Sequence, residues 1–240
     1  SASISPAVRG GGLIFSGAIF AVTAAYMFYH RIAIGARYTQ GGRGIVESLT
    51  VRRTRATGPR VVVIGGGTGL STALKGLKLI TDNLTAVVTV SDDGGSSGRL
   101  RRELGIAPPG DARQCLIALS ESEPLMQRAL DYRFPGRGSL GGHSLGNLLI
   151  AGLAHTEGSF DAALHAAASI LAVRGTVIPS TLEQEVLLCV RSTDGQVLSG
   201  ESTIGQSGVH VDQMWLEPND AQANPAALEA ISSADIIVVG

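Results

Sequence analysis

Residues 61–71 read Val-Val-Val-Ile-Gly-Gly-Gly-Thr-Gly-Leu-Ser (VVVIGGGTGLS), and this stretch decides the fold. Val61, Val62, Val63 and Ile64 form an unbroken apolar run, the pattern of a parallel strand covered on both faces. Gly65, Gly66, Gly67 and Gly69 then remove Cβ atoms where the chain must turn sharply and where a ligand can approach its backbone. Leu70, Leu74, Leu77 and Leu79 repeat at helical spacing, so a helix begins here, and its unpaired N–H groups and positive dipole end face back toward the turn. A strand, a glycine turn and a helix start in this order suit an anion. A tight turn without a ligand is the plainer alternative.

Two nucleotide motifs can be compared with the turn. A P-loop needs G-x-x-x-x-G-K-[ST], and Lys75 lies too far into the helix to serve as its lysine. The dinucleotide fingerprint G-x-G-x-x-G fits only in part, because Gly65 and Gly67 are followed by Leu70, and Gly67 and Gly69 by Thr72. A Walker-type NTPase is disfavoured, and an NAD-dependent dehydrogenase lacks its third glycine.

The chain has 240 residues, 44% of them hydrophobic, enough for one large domain or a domain with an appendage. A formal net charge of −1 implies no nucleic-acid partner. Cys115 and Cys189, the only cysteines, are far apart in sequence and suit buried thiols in a reducing compartment. Residues 11–29 carry no charge, and at about 1.5 Å per residue they nearly match a hydrocarbon core of about 30 Å. Arg31, Arg37, Arg43, Arg52, Arg53, Arg55 and Arg60 follow against the single acid Glu47, whereas only Arg9 precedes. The positive-inside rule then places the large C-terminal part in the cytoplasm, tethered to the inner membrane. A signal peptide would have a shorter apolar run and its positive charge on the other side. The expected organisation is a transmembrane segment at 1–30, a basic linker at 31–59 and a folded domain at 60–240. Because the sequence begins at Ser1 rather than methionine, an earlier segment is also expected.

Within the domain, Leu84 to Val90 reads as a second buried strand, completing a β-α-β unit. At its end comes Ser91 to Arg99 (SDDGGSSGR), a loop that would lie beside the glycine turn beyond the carboxyl ends of the strands. Asp92 and Asp93 are placed to bond a ribose hydroxyl. A magnesium ion is the less favoured alternative. Gly94, Gly95, Ser96 and Ser97 offer amides and hydroxyls to an anion, and Arg99 can pair a phosphate. Arg101 and Arg102 read as an exposed helix face.

Asp111, after Pro108, Pro109 and Gly110, reads as the N-cap of the next helix. A helix follows Pro124, and Phe160 to Val173 is an Ala-rich buried helix. Gly141 to Leu149 (GGHSLGNLL) sets His143, Ser144 and Asn147 at a glycine-rich helix entry; the histidine reads as a hydrogen-bonded structural group rather than a base. Residues 186–190, the Asp194-Gly195 turn, 197–198 and 209–216 read as a small antiparallel section. Pro225 opens a last helix, and residues 234–240 (ADIIVVG) read as a further buried parallel strand. The fold class is α/β: a Rossmann-like three-layer parallel sheet with a small antiparallel section, preceded by the transmembrane helix and truncated at its C-terminus.

The runs GGGTGLS, VTVSDDGGSSGRLRRELG, PPGD, GHSLGNLL and DIIVVG, in this order over residues 60–240, resemble the gluconeogenesis-factor (YvcK-type) family. Its members are bacterial nucleotide-sugar-binding regulators of carbon metabolism, cell-wall growth and cell shape. The family is similar in fold to 2-phospho-L-lactate transferase of deazaflavin cofactor biosynthesis. The resemblance implies a UDP-sugar of the UDP-N-acetylglucosamine type as ligand, with Thr68 in the contacting turn and Asp92, Asp93, Gly94 and Gly95 beside it. The expected nucleotide-binding set is Gly65, Gly66, Gly67, Thr68, Gly69, Ser91, Asp92, Asp93, Gly94, Gly95, Ser96, Ser97, Arg99 and Asn147. No catalytic residue and no required cofactor or metal is assigned. A regulatory binding protein is thus preferred to a transferase. The membrane-like segment departs from the soluble members of the family, and those members continue past the final strand.

With its native N-terminus the protein is expected to sediment with membranes and resist carbonate extraction, while a chain beginning at residue 58 stays soluble. Recovery of both forms in the soluble fraction rules the tether out.

Overall fold

In the computed structural model, which describes residues 53–122, 124–136 and 138–240, β1 (Val61–Gly65) is an inner strand of a four-stranded sheet. The sheet has the order β3-β2-β1-β7, with β2 at Leu84–Val88, β3 at Thr176–Pro179 and β7 at Ile236–Val239. Every pairing is parallel: Val61 lies opposite Leu84 on one side and Ile236 on the other, and Thr85 lies opposite Thr176. The chain steps outward from β1 to β2 and β3, then returns to the other side of β1 as β7. Where this order reverses, between β1 and β7, the crossovers diverge and leave a crevice beyond the carboxyl ends.

The period-2 pleat explains the unbroken apolar run of β1. Val61 and Val63 face a large core with Leu84, Ala86, Val88 and Val177, while Val62 faces a second cluster with Val87, Ile178 and Ala227. Helices α1 (Gly67–Leu77), α3 (Gly110–Leu119), α5 (Leu145–Glu157) and α6 (Phe160–Ile170) supply the large core through residues such as Leu70, Leu74, Leu116, Ile150 and Leu164. On the opposite face, α8 (Pro225–Ser233) contributes Ala227, with Ala230 and Ile231 packed against that cluster. Helices on both faces of a parallel sheet make the three layers. Helix α2 (Gly95–Leu104) adds Leu100 to the large core, and α4 (Pro124–Asp131) adds Leu130.

The antiparallel section is a separate three-stranded sheet in the order β5-β4-β6, with β4 at Leu187–Ser192, β5 at Val197–Ser199 and β6 at Val211–Glu217. Between β5 and β6 the chain forms α7 (Glu201–Ser207), a short polar helix with no apolar period to announce it.

Several expectations need correction. Helix α1 ends at Leu77, so Leu79 falls in the turn beyond it and is 67% exposed rather than part of the apolar face. The loop expected over residues 91–99 ends at Gly94, because α2 has begun by Gly95. Gly94 is the N-cap of α2, and Ser96 and Ser97 are buried in its first turn. Arg101 is not on an open face, because its guanidinium donates to the Val186 carbonyl at 2.9 Å. Strand β7 is not buried: it lies at the sheet edge, with Ile236, Ile237 and Val239 all exposed.

The unit to which these elements belong begins at Arg55, somewhat before Arg60. The Arg55 guanidinium lies 3.6 Å from Asp82 and 3.7 Å from Glu121 and donates to the Lys78 carbonyl, which ties that residue to the domain. The expected span at 11–29 and most of the linker lie outside the described residues. Among the described residues no helix is long and apolar enough to cross a membrane.

Leu74 is fully enclosed whereas Leu79 is exposed. Leu74→Ala is therefore expected to lower the unfolding free energy by about 2–5 kcal/mol in urea titration, and Leu79→Ala by less than about 0.5 kcal/mol. Equal losses would contradict this end of α1.

Candidate functional site

At the carboxyl end of β1, Gly65, Gly66 and Gly67 are each required for a different reason. A side chain at Gly65 would collide with the Gly240 carbonyl oxygen, since the ends of β1 and β7 approach that closely. One at Gly66, the N-cap of α1, would collide with Thr89 and stand 2.7 Å from Asp111 Oδ2. Gly67 has φ +62°, in the left-handed region. Thr68 and Gly69 are exposed in the first turn of α1. The N-cap Gly66 has no side chain to cap this helix and Thr68 is not the cap, so N-terminal amides remain that can take an anion.

The second loop stands beside this turn but differs from the expected picture in which groups are free. Asp92 Oδ1 accepts the Gly94 N–H at 2.9 Å. Asp93 Oδ1 accepts the Ser202 N–H at 2.8 Å, and its carboxylate fills the space beside Gly200, where no Cβ could fit. Asp93 thus clamps the start of α7 to the loop. Ser91 Oγ donates to Glu201 at 2.9 Å, which brings in a carboxylate that sequence reading missed. Gly110 opens α3 so close to Ser97 Oγ that a Cβ there would collide with it. The starts of α1, α2 and α3 consequently meet at one end of the sheet.

Ser96 and Asn147 are turned away from this surface into a buried polar network. Ser96 Oγ lies 2.8 Å from His143 Nδ1 and accepts from Asn147 Nδ2 at 3.0 Å. Asn147 Oδ1 accepts the Arg113 Nε–H at 3.0 Å, and Arg113 pairs with Asp131. Ser144 Oγ caps α5 by accepting the Asn147 N–H. Arg99 donates to the Gly141 carbonyl. With Ser96 at 7% and His143 at 2% exposure, this serine–histidine pair is closed to substrate and ties α2 to the entry of α5. Burial first, and the Arg99 charge second, push the His143 imidazole below its ordinary 6.5, with Glu103 opposing.

The residue that sequence reading placed wrongly is Asp111. The N-cap of α3 is Pro109, so Asp111 lies in the first turn of the helix, where a carboxylate complements its dipole. There its carboxyl lies against the glycine turn, beside Gly66 and the N–H of Gly67. Burial pushes its pKa up most strongly; the Gly67 hydrogen bond opposes this, Asp92 and Glu201 add to it, and Arg113 opposes. Two signals were legible in the sequence: an acid directly after a rigid Pro-Pro-Gly turn, and glycines that leave room for a neighbour. The meeting of the two was not. Among the described residues no group of three or more His, Cys, Asp or Glu is arranged to hold a metal ion.

Comparison with known proteins bears on this site directly. The family model described as 2-phospho-L-lactate transferase CofD matches residues 61–240. The chain belongs to the CofD family. Within the family it is similar to the gluconeogenesis factor of Halalkalibacterium halodurans, with 48% identity over 180 residues covering 75% of this chain and 56% of that protein. The gluconeogenesis factor of Bacillus subtilis is 45% identical over 182 residues, covering 76% of this chain and 57% of its own. A crystal structure of a Bacillus halodurans protein superposes with a TM-score of 0.74 at 46% identity, covering 77% of this chain and 59% of that one. The chain thus spans little more than half the length of these relatives. The stretch matched by the CofD family begins at the first residue of β1 and takes in the glycine turn, the acidic loop, Asp111 and Glu201.

The depressed imidazole pKa fixes a sign for acid sensitivity. An unfolded His143 takes up a proton as pH falls through 6.5 while the folded one stays neutral, so its contribution is complete above that pH. It is lost between 6.5 and the lower folded value. The urea midpoint is expected to fall on acidification over this window, and less so in His143→Gln. An equal fall in both proteins would remove His143 as a source.

Proposed function

We propose that this domain is a regulatory module that binds the diphosphate of a UDP-sugar at the glycine turn. One observation carries the reading: the glycine turn after β1 opens α1 at the point where the strand order reverses, with Thr68 and Gly69 exposed and no side chain on the N-cap residue Gly66. Amides and a positive dipole end there favour phosphate oxygens, and the missing Cβ atoms let them approach. The exposed Thr68 hydroxyl adds a donor. Asp92, beside the turn, supplies an acceptor for a sugar or ribose hydroxyl. The names of the gluconeogenesis-factor relatives support a role in carbon metabolism. UDP-N-acetylglucosamine is the proposed ligand, with control of cell-wall synthesis and cell shape as the proposed output. Residues 11–29 are proposed to hold the domain at the inner face of the membrane.

Thr68→Ala removes one polar contact to a charged oxygen, worth about 1.5–3 kcal/mol. In the full-length protein it is expected to weaken UDP-N-acetylglucosamine binding by roughly tenfold or more by calorimetry, with little change in Tm, because Thr68 caps nothing. An unchanged Kd would falsify the ligand role of the turn.

A further inference from the structure

Helix α3 does more at this site than pack against α1. Asp111 reaches across to the glycine turn, where Oδ2 fills the room left by the absent Cβ of Gly66 and the Gly67 N–H lies near enough to favour the ionised carboxyl. The half-buried carboxyl therefore already stands at the place, and beside the donor, that an incoming phosphate oxygen would use. Its surroundings do little to neutralise it. Asp92 from the loop after β2 and Glu201 from α7 add negative charge, and Arg113 on α3 is engaged by Asn147 and Asp131. Cys115, also on α3, is a buried thiol pushed up to about 12 by burial first and by Asp111 second. The helices packed on α3 bring no cation to this end. Lys75 lies in the last turn of α1, and Lys78 donates to the Ser120 carbonyl at the far end of α3. On α5 the titratable groups are His155 and Glu157 in its last turn, and on α6 they are Asp161 and His165, paired with one another. Strands β2 and β3 carry none.

We propose that Asp111 is a specificity-determining residue of the glycine turn: its carboxylate competes with the ligand diphosphate for the start of α1 and sets the negative charge that the turn accepts. This rests on the reading that the turn holds a diphosphate. When Asp111 is ionised, the turn is partly self-neutralised and the ligand must displace a carboxylate. When it is protonated, the carboxyl turns from competitor into donor and the site gains affinity. The two phosphates of a nucleotide sugar are diesters, ionised throughout the range from about pH 5.5 to 8, so the charge of the ligand stays constant and a pH dependence of binding reports the protein's own groups, among them Asp111 with its pKa pushed up.

The experiment is calorimetry of UDP-N-acetylglucosamine binding to the full-length protein in EDTA, at about pH 5.5 and about pH 8, for wild type, Asp111→Asn and Thr68→Ala. Asparagine keeps the size of the side chain and an oxygen for the Gly67 N–H while removing the charge. Wild type is expected to bind more tightly at the lower pH. Asp111→Asn is expected to bind roughly fivefold more tightly than wild type at the higher pH, the order of effect of one nearby charge at a partly exposed site, and to lose most of the pH dependence. Weaker binding by Asp111→Asn at the higher pH would overturn the proposal, since the carboxylate would then be serving the ligand. So would a pH-independent wild type, which needs no variant to observe. If Thr68→Ala weakens binding while Asp111→Asn leaves it unchanged, only the role of Asp111 fails. If neither variant alters binding, the diphosphate lies elsewhere and the underlying reading fails.

Discussion

Three helix starts meet at one end of the parallel sheet, and the balance of charge there governs the rest of the site. Helices α1, α2 and α3 begin at Gly67, Gly95 and Gly110, and the missing side chains of Gly66 and Gly110 let the positive ends of their dipoles come close together. Carboxylates of Asp92, Asp111 and Glu201 stand among them. The arrangement is stable without a ligand because acids offset the dipoles. It can also accept an anion, because the acids do not use every amide. The glycines are a packing requirement before they are a binding feature: a Cβ at Gly66 or Gly110 would separate the helices that create the field.

Behind this surface, the buried contacts of Ser96, His143, Asn147 and Arg113 hold α2, α3 and α5 in register. Such a network is worth having only when each member is satisfied, and here the Asn147 amide is bonded at both its oxygen and its nitrogen. Its consequence lies at the surface, because the direction of α2 fixes the acidic loop that precedes it. The clamp from Asp93 to Ser202 carries the same constraint into the small antiparallel sheet through the start of α7. Positions that look like ligand contacts in the sequence can therefore serve as the frame on which the ligand surface is mounted.

The parallel β-α-β unit, the glycine turn and the small antiparallel section were legible because each has a local signature: an apolar run, clustered glycines, or alternation around an Asp-Gly turn. Strand β3 was not, since four residues ending in proline leave too short a pattern. Helix α7 was missed because its burial is negligible and its sequence lacks an apolar period. At the site, sequence distance was the obstacle. Thr68 and Gly66 sit in a recognisable turn, but that Asp111 fills the space beside Gly66, or that Glu201 reaches Ser91, depends on crossovers of tens of residues. The paired Asp92 and Asp93 looked equivalent on paper. The fold separates them: Asp92 accepts an amide within its own loop, whereas Asp93 accepts one from the start of α7.

The pairing of β1 with β7 has a further consequence for how the protein comes into being. Val61 is matched with Ile236, and Gly65 is closed over by Gly240, so the wall of the crevice joins strands that lie far apart in the sequence. A ribosome releases the glycine turn long before it makes Glu201 or Gly240. The nascent turn must wait, its helix start unshielded, while the intervening crossovers are synthesised. Contacts this distant along the chain are slow to close, since loop entropy must be overcome before they yield any stabilisation. The glycine turn and the acids that neighbour it are accordingly brought together late, after the crossovers between them have been made.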